Sequence, residues 1–236
     1  MNKKRYSGVS LIEMLLTMVI LSFVMILAGV VLTTMIRTSA IANARTTVRS
    51  DTEFILELLK RNVRNSQPQD IRLYKVSNRY FSEKNREIIL DMEEARDAGE
   101  DTSYEVPILQ GDFGNELQFR PVASDTWVCI GYFPNYEKEF DGTRKGFILK
   151  SESTNLVNPE DCFNSEQAAN NIIVLNSYDS DVQSLKISYY DGYNGNTIYL
   201  IESVIKPLYW VGTKAGVQPE YIKQVITSTQ KLTWNN

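Results

Sequence analysis

Histidine is absent from all 236 residues, and with it go the commonest general base and the commonest zinc ligand. Hydrolase triads and zinc centres lack their usual residues here, and an acid pair is the catalytic arrangement left open. No nucleophile and base stand together in the sequence, so an enzyme is not expected, and no cofactor is expected either. Cysteine occurs only at Cys129 and Cys162. Proline does not occur before Pro68, and no charge occurs between Met14 and Ile36. Basic residues are outnumbered, 25 against 29 acidic ones, for a formal charge of -4. Phosphate contacts need clustered Lys and Arg, so direct nucleic-acid binding is not expected.

The uncharged run from Met14 to Ile36 would make a helix of roughly 35 Å, enough to cross a bilayer core of about 30 Å. Glu13 stands at its edge, where an ionised carboxylate costs on the order of 3 kcal/mol on insertion scales and calls for a partner. The plainer account leaves Glu13 among lipid headgroups, favoured by the positive end of the helix dipole. Lys3, Lys4 and Arg5 precede the run, while Arg37, Arg45 and Arg49 follow it, so the positive-inside count is a tie. The short tail before the run and the large domain after it favour a cytoplasmic N-terminus.

The helical pattern continues past Ile36. Ile41, Ala44, Val48, Ile55, Leu59 and Val63 recur at steps of three, four or seven and form one stripe. Glu57 stands at supporting spacings from Lys60 and Arg61. Pro68 disfavours helix at Gln67, so one helix over residues 9–65 is expected, about 57 residues and roughly 85 Å long. Its lipid half covers about 14–36, and its amphipathic half about 37–65. From Asp70 the pattern turns to strands, expected at 71–76, 87–92, 116–122, 126–133, 146–150, 172–175, 184–190, 197–205 and 221–233. Asp191 to Asn196 reads as a hairpin connection. An antiparallel sheet in one β-rich domain over 66–236 follows.

The basic leader, Gly8 and the string Ser10-Leu11-Ile12-Glu13 before the apolar run resemble the processing signal of type IV prepilins and type II secretion pseudopilins. That resemblance implies an α+β, type IV pilin-like fold, with a long N-terminal helix packed on an antiparallel β-sheet head. It implies a leader at 1–8, cleavage between Gly8 and Val9 by a prepilin peptidase on the cytoplasmic side, and N-methylation of Val9. Glu13 would attract the new amino terminus of a neighbouring subunit during filament assembly. The segment Phe54 to Asn65 and the final Trp234-Asn235-Asn236 are similar to parts of bulky minor pseudopilins. The expected role is a minor subunit of a type IV pilus, competence pilus or type II secretion pseudopilus, possible at the filament tip. Its partners would be other pilin subunits, the peptidase, the inner-membrane assembly platform and membrane lipid. Its location would be the cytoplasmic membrane with the head outside, then the filament. Two departures stand out: Val9 replaces the usual Phe or Met, and no proline stands near Val30, where Gly29 is the candidate for loosening.

Alternatives remain open at this point. Ala42-Asn43-Ala44 has the small residues of a signal-peptidase site, although it lies well beyond a run longer than the usual signal. An uncleaved anchor carrying an extracytoplasmic binding domain is the other, its acidic loops or Tyr-rich sheet meeting a ligand. In an oxidising space Cys129 and Cys162 can form a disulfide, whose loop of about 33 residues is worth on the order of 3 to 4 kcal/mol. Two separate thiols are the alternative. The acid-rich stretch Asp91 to Glu105 reads as a solvated loop. Asp179, Asp181, Asp191, Asn194 and Asn196 offer oxygen ligands of the kind calcium takes, but no EF-hand loop is present and turn chemistry explains them better, so no metal is expected.

Overall fold

Met14 to Ile36 and the amphipathic segment after it form one continuous rod. The computed structural model describes residues 10–90, 110–138, 143–154, 162–163, 171–192, 195–208 and 220–229. Helix α1 (Leu11–Arg64) spans 54 residues, about 80 Å at the usual rise. It passes through Gly29 without a break, and it stops at Asn65, whose N–H bonds to Arg61 O and Asn62 O at 3.1 Å. The acidic stretch 91–105, Asn194 and the chain beyond Thr229 lie outside the described residues.

Ten strands follow among the described residues. They are β1 (Ser66–Tyr74), β2 (Arg79–Ser82), β3 (Glu87–Leu90), β4 (Glu116–Pro121), β5 (Trp127–Pro134), β6 (Gly146–Ser153), β7 (Ile173–Val174), β8 (Ser180–Asp191), β9 (Thr197–Pro207) and β10 (Tyr221–Ser228). Their order is β1-β4-β5-β6-β7 in one sheet, β10-β9-β8 in a second and β2-β3 in a third, with every ladder antiparallel. The expected single sheet is thus three. Strand β1 begins directly after the helix and carries Pro68 inside it. That is allowed because β1 is an edge strand whose register shifts between Ser66 and Ile71, leaving the proline outside the regular ladder.

Strand alternation sends side chains into two cores. Val128 and Ile130 of β5 face the helix, joining Leu117, Phe119 and Ile148 with Ile187, Ile201 and Ile205 of the second sheet. The helix contributes Val48, Ile55, Leu56, Leu59 and Val63 to that core. Cys129 and Phe133 of the same strand face the other way, into a second core with Phe81, Phe147, Leu149, Cys162 and Phe163. The rings of Phe81 and Phe147 meet edge to face at 5.3 Å, and those of Phe133 and Phe163 at 4.9 Å. A disulfide joins Cys129 to Cys162 within this core, across a Cα separation of 6.0 Å. Strand β5 and the first half of β6, Gly146 to Leu149, are buried on both faces and accordingly read as apolar runs, whereas β6 ends in the polar Lys150-Ser151-Glu152-Ser153.

Two polar devices fix how these layers meet. Asp51, on the helix, accepts hydrogen bonds from Ser177 N at 2.9 Å, Ser177 Oγ at 2.7 Å and Ser180 Oγ at 2.6 Å. This clamp sets both the height and the rotation of α1 against the head. Below the five-stranded sheet, Arg79 of β2 pairs with Glu116 of β4, which also accepts from Gln118 Nε2 at 2.7 Å. Both charges are buried, and the Arg79 guanidinium lies 4.8 Å from the Phe133 ring centroid. Removing one partner would leave the other charge unmatched in the interior.

Candidate functional site

The N-terminal junction is the candidate site, and its chemistry begins with an N-cap. Ser10 precedes the helix in extended backbone, and its Oγ accepts the Glu13 N–H at 3.3 Å. Glu13 Oε2 accepts the Ser10 N–H in return at 3.0 Å. Two helix-end donors are satisfied in one reciprocal arrangement, which fixes the start of α1. The carboxylate therefore has a partner inside its own chain. Ser10 is the residue that sequence reasoning passed over, although Ser-x-x-Glu before an apolar run is the signature of this box. Gly8 and Val9, the expected cleavage and methylation positions, lie outside the described residues.

Beyond Glu13 the helix shows apolar side chains all round. Leu11 is 83% exposed, Ile20 54% and Ile36 63%, so nothing among the described residues covers this half. It is the one helix among the described residues long and apolar enough to cross a membrane. Its few hydroxyls are satisfied internally: Ser22 Oγ donates to Met18 O at 2.8 Å, Thr33 Oγ1 to Gly29 O at 2.7 Å and Thr34 Oγ1 to Val30 O at 2.8 Å. Such back-bonding removes the cost of a hydroxyl in lipid. The transition comes at Ile41 and Ala44, which are half-buried, and by Val48 the helix is against the head.

The other candidate residues are dispersed. Asp181 is held by Gly146 N at 2.8 Å, Gln183 Nε2 at 2.8 Å and the Lys206 ammonium at 3.4 Å. Burial nevertheless pushes its carboxyl above the ordinary value, with Gly146 N–H and Lys206 opposing. Asp191 stands at the far end of β8, ten residues of extended chain away or roughly 30 Å. Among the described residues no three acidic or cysteine side chains converge on one point. The tyrosines divide between interior and surface. Burial pushes the Tyr132 hydroxyl up to about 12 and raises that of Tyr199 further, whereas Tyr136, Tyr178 and Tyr190 are exposed. A cleft of about 400 Å³ between β1 and the β8–β9 end is lined by Ile71, Arg72, Tyr74, Tyr189 and Tyr199.

No curated protein and no solved structure matches the chain. The sequence comparison that does match falls on the capped junction and the exposed apolar helix. Residues 3–29 fit the family model described as the prokaryotic N-terminal methylation motif, which supports a type IV pilin-like subunit, processed by prepilin peptidase and anchored through its N-terminal helix.

Proposed function

We propose that this chain is a minor pilin or minor pseudopilin, a structural subunit of a type IV filament system rather than an enzyme. One observation carries the reading: the methylation motif opens a 54-residue helix whose first half is uncovered and whose second half is docked on a β-rich head. A static anchor needs the uncovered half alone. A filament subunit needs both halves in one rod, because the half first held in lipid must later be held by neighbouring helices.

The proposed sequence of events starts with insertion of residues 14–36 into the cytoplasmic membrane, with the head outside. A membrane peptidase then cuts between Gly8 and Val9, and Val9 is N-methylated. The removed leader carries Lys3, Lys4 and Arg5, which takes the formal charge from -4 to -7. On extraction through the inner-membrane platform, Glu13 meets the amino terminus of a neighbouring subunit. Its Oε2 accepts the Ser10 N–H, and Oε1 has lone pairs for that ammonium group. The carboxylate is thus hydrogen-bonded both before and after the transfer and is never stranded in an apolar surrounding.

The N-terminal residue and mass of the chain isolated from membranes test this reading. Val9, with or without one methyl group, is expected. Arg45 would indicate an ordinary secretory signal and Met1 an uncleaved anchor. The first of these alternatives also requires signal peptidase to cut at Ala42-Asn43-Ala44, inside α1 and next to the head. A bulky residue at Gly8 should block processing. Glu13→Val should leave cleavage intact and reduce filament incorporation, and normal incorporation of that variant would remove the proposed role of the acid.

A further inference from the structure

A bare sheet edge is a template for another strand, and the edges of the head are unequal in this respect. Strand β1 carries Pro68 and a register shift, β7 is two residues long, and β2 and β3 have four residues each. The outer edge of β8 is occupied: Gly111 N donates to Tyr189 O at 3.2 Å and Gly114 N to Ile187 O at 2.7 Å. Strand β10 differs. Its eight residues pair with β9 in a ladder without a shift, and no proline or glycine interrupts them.

The phase of that ladder says which groups are left over, because backbone hydrogen bonds alternate from one side of a strand to the other. Thr229 N, which continues the ladder, donates to Thr197 O at 3.0 Å. The odd-numbered residues of β10 therefore turn their backbone groups to β9, and Ile222, Gln224, Ile226 and Ser228 turn theirs to the open side. The bonds of Ile187 and Tyr189 to the glycine segment, carried across the two ladders, fix the same phase. Among the described residues no backbone bond reaches these four. Their side chains stand on the sheet face away from α1, since Tyr221 and Val225 pack into the helix-side core. Ile222 is 58% exposed there and Ile226 71%. Lys223, the one charge on β10, is turned to the helix and meets Glu53 at 3.3 Å, so it does not guard the edge.

Four N–H donors and four C=O acceptors in strict alternation are complementary to an extended backbone and to little else. Lys223 reaches Glu53 and Thr227 Oγ1 reaches Lys60 O at 3.5 Å, so four strand residues, about 13 Å, match seven helix residues, about 10 Å. Strand β10 thus runs alongside α1, and its open edge looks sideways from the rod. A second copy of the chain fits that edge poorly. Paired antiparallel, its rod would point the opposite way, which anchoring in one membrane does not permit. Paired parallel, it would be turned over, with its Ile222 and Ile226 against Glu53, Glu57 and Lys60. We propose that the β10 edge takes up an extended segment of an unlike neighbouring subunit, which adds a fourth strand to the β10-β9-β8 sheet. Apolar side chains at alternate positions of that segment would pair with Ile222 and Ile226. The added strand rests on the reading of the chain as a filament subunit, which is what sets a neighbour beside the rod.

Amide exchange of the full chain in detergent and its recovery in filaments sheared from cells test this together. In the isolated chain the amides of Ile222, Gln224 and Ile226 should exchange fast and those of Lys223 and Val225 slowly; equal protection would mean that the edge is already covered. Gln224→Pro removes one edge N–H and no bond of the head, a substitution that an edge strand accepts. It should keep the wild-type denaturant midpoint and the cut at Val9, yet be lost from filaments. Ile222→Lys/Ile226→Lys should be lost likewise, and it decides the matter if the proline variant unfolds. Gln224→Ala keeps the N–H and should be recovered at the wild-type level; its loss would assign the effect to the side chain and overturn the strand. Recovery of Gln224→Pro or of the double Lys variant at the wild-type level would overturn it too. So would a dimer of the full chain in detergent that Gln224→Pro abolishes, since the occupant would then be a second copy. Variants recovered alongside a cleaved, recovered wild type refute the edge alone, whereas a wild type absent from filaments refutes the filament reading and the edge with it.

Discussion

Asp181 illustrates what a buried carboxylate does to a fold even when it is well bonded. Burial raises its pKa, so the folded state holds the proton more tightly than the unfolded chain does. The stability gained from that proton is complete below the ordinary carboxylate range, near 3.9, and is lost as pH rises through the raised folded value. At neutral pH the ionised group is a net cost relative to a neutral one of the same shape. Asp181→Asn keeps an oxygen for the Gly146 N–H, and in denaturant titrations it should match or exceed the wild type at pH 7. Its advantage should shrink as pH is lowered towards 4, whereas parallel curves for the two proteins would show that Asp181 titrates normally. Glu53 runs the other way, lowered by hydrogen bonds from Arg49 and then Lys223, so its contribution is lost as pH falls. Both proteins contain it, and the comparison cancels it.

At the scale of elements, α1 divides into halves that should respond differently to the same truncation. Leu59 is fully buried between the sheets, and Leu59→Ala should cost about 2 to 5 kcal/mol of head stability. Ile26 is 63% exposed and lies far along the rod from the described part of the head, and Ile26→Ala should leave the stability of the head within about 0.5 kcal/mol. Equal effects would mean that the uncovered half packs on the head in solution. The stripe from Ile41 to Val63 was legible because a helix buried on one side must repeat its apolar residues every turn. Glu13 was legible as a charge at the edge of an uncharged run, but its bond to Ser10 was read past. Strand β2 was not legible: its turn, Glu83 to Arg86, has no glycine, and Arg86 itself takes the left-handed position at φ 55°. Strand β8 was expected only from Ser184, because Ser180 and Asp181 look like loop residues until Ser180 meets Asp51 and Asp181 meets Lys206. Polar groups that pair over long sequence distances carry no local period.

Across the whole molecule, the five-stranded sheet separates a helix-side core from one closed by the disulfide. Reduction, or the double variant Cys129→Ser/Cys162→Ser, should lower stability by about 3 to 4 kcal/mol, given a closed loop of 33 residues. The loss should fall on the second core, where Cys162 brings Phe163 against Phe133, and hydrogen exchange should report it first in β2 and β3. A denaturant midpoint unmoved by reductant would show that the bond adds nothing in solution. The opposite core holds the helix, and its geometry has a mechanical side. Val48 to Val63 and the Asp51 clamp lie along the rod's axis, so a pull on the N-terminal half loads every contact in shear at once. The head is mounted as a tool is on its shaft: it can be dragged forward through the one rod, whereas peeling it off would require force across that axis.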